Sequence, residues 1–172
     1  MKAIAFLLML SAATAWADQW QVVNVDKVTL EGTLKEGGTF VVTVDTDRPR
    51  KISGELFGAT ETPRAVVSGI TVKTSNARIA FSKQSVTDLA NPLLQTLSVT
   101  AQGSGNLKLR FTGGEGAQNY EVEYFVEGDR LARRNVSYFE RGGTQKDRVV
   151  KTMTFGEAGA VPQQPEVSTT NE

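Results

Sequence analysis

From about position 20 onward, apolar and polar residues exchange places every second position, and four pairs of such runs can be aligned with their apolar members on one face. A period of two marks half-buried strands. The pairing that keeps one face apolar sets the register, because a slip of one residue turns every side chain over.

The first hairpin sets Leu30, Gly32 and Leu34 against Phe40, Val42 and Val44 across Gly37, Gly38 and Thr39. A two-residue Gly-Gly loop would mix the faces. The expectation is a three-residue loop with a glycine bulge, with Leu34 opposite Val42. The second hairpin pairs Ile70 and Val72 with Phe81 and Ile79 across Ser75 and Asn76, where Asn tolerates a left-handed backbone. In the third, Leu97, Val99 and Ala101 face Phe111, Leu109 and Leu107 across residues 102–106, leaving Ser98 and Thr100 opposite Arg110 and Lys108 toward solvent.

The fourth hairpin joins 119–127 to 130–139 at Gly128 and Asp129, a composition suited to a type II′ turn. Its register predicts Glu127 opposite Arg130 and Glu123 opposite Arg134, two cross-strand pairs worth about 0.2–1 kcal/mol each. Tyr120, Val122, Tyr124, Val126 and Leu131 then line the inner face. Further strands are expected over 21–25, 51–57 and 148–155. The helix signal is brief: Ser85 can cap a turn, Asp88 follows three residues on, and Pro92 forbids helix past Asn91. Many short strands and almost no helix predict an all-β fold, an antiparallel β-sandwich (immunoglobulin-like or jelly-roll) with one short helical turn.

The two ends read differently from the middle. Lys2, the apolar stretch 4–10 and the Ala15-Trp16-Ala17 site have the order of a secretory signal peptide over 1–17, so the mature chain is expected to start at Asp18. That apolar stretch is too short to span a bilayer, and no later segment is apolar enough to do so. Residues 156–172 carry Pro162, Pro165 and a polar end, and are expected to be a disordered tail. One β-sandwich domain is therefore predicted over 18–155. The expected destination is export, periplasmic or extracellular.

Composition narrows the chemistry. Lys+Arg and Asp+Glu both number 19, which argues against nucleic acid as a partner. There is no His and no Cys. That excludes the Ser-His-Asp and Cys-His nucleophile systems, His- or Cys-ligated zinc, iron–sulfur clusters and disulfides. An exported domain without disulfides must rely on an ordinary core. No cofactor is implied: the Gly113-Gly114-Glu115-Gly116 run lacks the Lys-Ser/Thr of a phosphate loop. No metal site is implied either, since Asp45-Thr46-Asp47 lacks the Gly and distant Glu of a calcium loop.

Two residual catalytic readings are weak. Glu121 and Glu123 share a strand face at about 7 Å, a distance open to paired-carboxylate hydrolysis. The predicted Glu123–Arg134 pairing turns that pair into a charged stripe instead. Adjacent Ser82 and Lys83 would point to opposite faces of a strand.

The regional charge bias runs from Gly128 to Lys151, where Arg130, Arg133, Arg134, Arg141, Lys146, Arg148 and Lys151 outnumber Asp129, Glu140 and Asp147 around Tyr138 and Phe139. Arg133, Arg134, Tyr138, Arg141 and Arg148 form the candidate binding patch, suited to a protein partner or an anionic cell-envelope component. The competing reading is a solvated edge in which Glu123 and Glu127 neutralise two of the arginines. The function expected is a non-catalytic binding or structural module of the envelope or the exterior. A small barrel or sandwich carrying an apolar ligand or glycan is the alternative, and a carboxylate-dependent hydrolase ranks behind it.

Overall fold

The computed structural model describes residues 22–24, 26–35, 37–49, 55–59, 61–139, 148–156 and 168–171. The expected signal segment, with Ala15, Ala17 and Asp18, lies outside the described residues, as does Arg141. Eleven described strands divide between two antiparallel sheets. The first holds β1 (Val22–Asn24), β2 (Lys27–Thr33), β3 (Thr39–Asp47), β4 (Val66–Thr74) and β5 (Arg78–Ala80). The second holds β6 (Pro92–Gly103), β7 (Asn106–Gly113), β8 (Tyr120–Glu127), β9 (Arg130–Phe139), β10 (Arg148–Thr154) and β11 (Ser168–Asn171).

The inner faces meet in one core. Val28, Leu30, Phe40, Val42, Val44, Ile70 and Val72 come from the first sheet, and Leu97, Leu109, Phe111, Val122 and Tyr124 from the second. Burying side chains of this size stabilises by roughly 1.5–3 kcal/mol each before entropy is counted. The β-sandwich is as the periodicity predicts. Its connectivity is simpler than either named topology: within each sheet, neighbours in space are neighbours in sequence. Each sheet is a meander, without the Greek-key crossovers of immunoglobulin-like and jelly-roll folds among the described strands.

The short helical turn lies on the passage between the sheets, at Lys83–Ser85. Ser85 is inside this turn rather than capping it: its hydroxyl donates to the Ser82 carbonyl at 2.6 Å.

Three hairpins keep the predicted faces. In the first, Leu30 rather than Leu34 lies opposite Val42, and Val28 pairs with Val44. The slip is an even number of residues, so the apolar face is preserved while the register changes. The turn instead closes through Leu34 N–H to the Gly38 carbonyl, with Gly37 and Gly38 at φ 87° and 91°.

In the second, Val72 faces Ile79, and Phe81 N–H bonds the Ile70 carbonyl, as expected. Asn76 is not left-handed, however. The Thr74 hydroxyl accepts the N–H groups of Asn76 and Ala77 at 3.3 and 3.1 Å, holding the turn from its first residue. In the third, Val99–Leu109 and Ala101–Leu107 pair as predicted across a tighter loop. Ser104 and Gly105 have φ 51° and 73°, the two positive angles a type I′ turn requires.

Two further expectations change. Of the strand expected over 51–57, residues 51–54 are outside the described set, and Phe57 makes only an isolated parallel bridge with Leu89. At the C-terminus, Ser168–Asn171 pair antiparallel with β10. That differs from a structureless end: the backbone edge of β10 offers ladder partners even to a polar segment with two β-branched threonines.

Candidate functional site

The fourth hairpin departs from its predicted register, and the departure builds the site. Glu127–Arg130 and Val126–Leu131 pair as expected. Ala132 is then an extra residue on β9, and beyond it Phe125 faces Arg133, Tyr124 faces Arg134, and Glu123 faces Asn135. A bulge of one residue exchanges the two faces of the strand. The predicted Glu123–Arg134 pair therefore does not form. Arg134 points into the core, where it is 1% exposed. Without the bulge, the inner position would fall to Arg133.

A buried guanidinium requires a counter-charge. Asp88, on the passage between the sheets, provides it: Nη1 and Nη2 of Arg134 donate to the two Asp88 carboxylate oxygens at 3.0 and 2.8 Å. The fork-to-fork geometry fixes both groups. The backbone around Asp88 is held as well, since its carbonyl accepts Phe57 N–H at 2.8 Å. The Phe57 and Tyr124 rings flank the guanidinium at 5.7 and 5.9 Å. The Nε of Arg134 is buried and has no hydrogen-bond partner among the described residues.

This arrangement borders a cleft of about 180 Å³ lined by Glu55, Phe57, Asp88, Arg134, Val136 and Lys151, with Thr152 and Met153 on its β10 side. Lys151 pairs with buried Val136 across the β9–β10 ladder, so it too belongs to the inner face. Its ammonium lies 5.3 Å from the Phe57 ring and 5.4 Å from the Tyr138 ring, with the two rings 5.2 Å apart. Glu55 approaches Lys151 at 3.4 Å from a side chain that is 82% exposed. Burial alone would lower the Lys151 pKa. Its hydrogen bond to Tyr138, together with the charge and hydrogen bond of Glu55, outweighs that and leaves it raised. Lys151 therefore stays cationic across the physiological range.

The predicted patch is not brought together as one surface. Arg134 is core. Tyr138 is half-buried over the cleft against Phe57. Arg133 is exposed on the opposite face, stacked on Phe125 with its guanidinium 4.1 Å from the ring centroid. Arg148 is exposed on that outer face as well, and reaches Glu121 at 3.4 Å.

The outer-face carboxylates are engaged by cations. Glu121 also bonds Arg110, and Glu123 bonds Lys108 at 3.1 Å. On the first sheet, Asp45 pairs with Lys27 at 3.3 Å. Among the described residues no group of three or more acidic, His or Cys side chains could hold a metal ion. No helix among them is long and apolar enough to cross a membrane.

Glu55, Phe57, Asp88, Lys151 and Met153 join the site without having been singled out for it by the sequence pattern. Compared with protein-family models, curated proteins and solved structures, the chain matches none.

Proposed function

We propose that this chain is an exported, non-catalytic binding module whose ligand contact is the cleft beside β9 and β10. The observation that carries this reading is the placement of two cations on the inner face of one sheet. Arg134 is locked in the core by Asp88, and Lys151 lies against two contacting aromatic rings at an open mouth. Concave sites that combine apolar walls with a few fixed polar groups are the usual form of binding sites. The engagement of Glu121 and Glu123 by Arg110, Arg148 and Lys108 favours binding over carboxylate-pair hydrolysis. Export rests on the Lys2, apolar-run and Ala15-Trp16-Ala17 order.

Photo-crosslinking in the native cell tests the site. A photoreactive residue in place of Met153 at the cleft is expected to capture a ligand or partner, and one in place of Phe125 on the outer face is not. Lys151→Glu should remove the Met153 adduct. Adducts confined to position 125 would transfer the function to the outer face. Intact mass of the exported form should match a chain beginning at Asp18.

A further inference from the structure

The cleft's donors outnumber the acceptors that use them. Asp88 is engaged by the two terminal nitrogens of Arg134, and the third guanidinium nitrogen, Nε, is buried without a partner among the described residues. An unmet buried donor is destabilising, so a ligand acceptor that reaches it gains affinity. Among the described residues the one carboxylate paired with the Lys151 ammonium is that of Glu55, through a contact at 3.4 Å from a largely solvated side chain. An exposed pair of this kind is weak and easily exchanged. Glu55 thus acts as a tethered carboxylate resting at the mouth. The remaining walls are Phe57, Val136 and Met153, which offer apolar surface.

We infer that the cleft binds a small carboxylate with an apolar body. The carboxylate displaces Glu55 from Lys151 and reaches toward Arg134 Nε, and the apolar portion lies against Phe57, Val136 and Met153. The volume of about 180 Å³ suits a short acyl chain or a single ring rather than a long lipid. This inference rests on the reading of the cleft as the binding site.

The test is an amide NMR titration of the mature protein with hexanoate, hexanol and hexylamine. Hexanoate is expected to shift the amides of Phe57, Arg134 and Lys151 saturably, hexanol more weakly, and hexylamine not at all. Lys151→Met should weaken hexanoate binding about tenfold, the scale of losing a hydrogen bond to a charged group. Glu55→Gln, on an exposed side chain, leaves the fold intact and should tighten hexanoate binding by up to about fivefold by removing the internal competitor.

Equal affinity for hexanol and hexanoate would overturn the carboxylate preference while leaving the cleft a binding site. Weaker binding in Glu55→Gln would overturn the displacement. If no probe shifts these amides but crosslinks from position 153 persist, the inference falls and the proposed function stands. If both fail, both fall.

Discussion

Arg134 and Asp88 form a bidentate ion pair that ties β9 to the passage between the two sheets, with the arginine side chain 2% and the aspartate side chain 27% exposed. Removing one partner of such a pair leaves an uncompensated charge in the core, which costs about 3–5 kcal/mol when burial is complete. Asp88 keeps some water, so Asp88→Ala is expected at the lower end, about 3 kcal/mol, read as a drop in the urea midpoint at unchanged slope. Adding Arg134→Met to Asp88→Ala should recover much of that loss, because the second change removes the stranded cation. A double variant less stable than Asp88→Ala alone would show that Arg134 stabilises chiefly by packing.

The bulge at Ala132 makes a separate claim about which charges meet. Glu123 bonds Lys108 at 3.1 Å, and both side chains are partly shielded. A double-mutant cycle with Glu123→Gln and Lys108→Met should give a coupling of about 0.5 kcal/mol. The matching cycle between Glu123→Gln and Arg134→Met should give none. A finite coupling only in the second cycle would restore the unbulged register.

Much of this fold is legible in the alternation of the chain. The apolar faces of the first three hairpins and of β8 come from residues such as Val42, Val72, Leu109 and Val122, because burying one face penalises any odd slip. Even slips leave faces unchanged, which is why Leu30 rather than Leu34 can stand opposite Val42 without contradicting the pattern. The site was harder to read because it depends on one inserted residue. Its trace is present: Leu131 is inward at an odd position, whereas Val136 and Tyr138 are inward at even ones. That change of parity requires a bulge between them. Asp88 and Phe57 carry no comparable local signal. They meet Arg134 through contacts between distant segments, which no periodicity records.

Tyr120 and Tyr124 are both buried on β8 but differ in their hydroxyls. Tyr124 Oη donates to the Ser85 carbonyl at 2.8 Å, whereas Tyr120 Oη is buried without a partner among the described residues. Tyr124→Phe is therefore expected to cost about 1–2 kcal/mol, since it strands the Ser85 acceptor. Tyr120→Phe removes an unmet polar group and should be neutral or stabilising by up to about 1 kcal/mol. Gly113 is packed so tightly against the Tyr120 ring that a Cβ would overlap it. Gly113→Ala should cost about 1–3 kcal/mol by overpacking, and less in a Tyr120→Ala background. Chemical denaturation of these variants, with Tyr120→Ala alone as the reference for the double variant, checks the set.

The same two tyrosines set the response to alkali. Burial raises the pKa of both above the ordinary 10.0. In each, the nearby Arg134 charge pulls the other way without cancelling the effect. In the unfolded chain both phenols lose their protons near pH 10, while the folded protein retains them, so above that pH the native state holds more protons. Their contribution to stability is complete below pH 10 and is lost progressively as the pH rises toward their folded values. Lys151, whose pKa is also raised from 10.5, adds a loss in the same direction. The urea midpoint should therefore be flat from pH 8 to 9.5 and fall steeply above it. Tyrosinate absorbance at 295 nm should develop for two of the three tyrosines only together with unfolding. The Tyr120→Phe/Tyr124→Phe double variant should lose most of that slope. If it declines as steeply as the parent, a different set of groups governs alkaline unfolding.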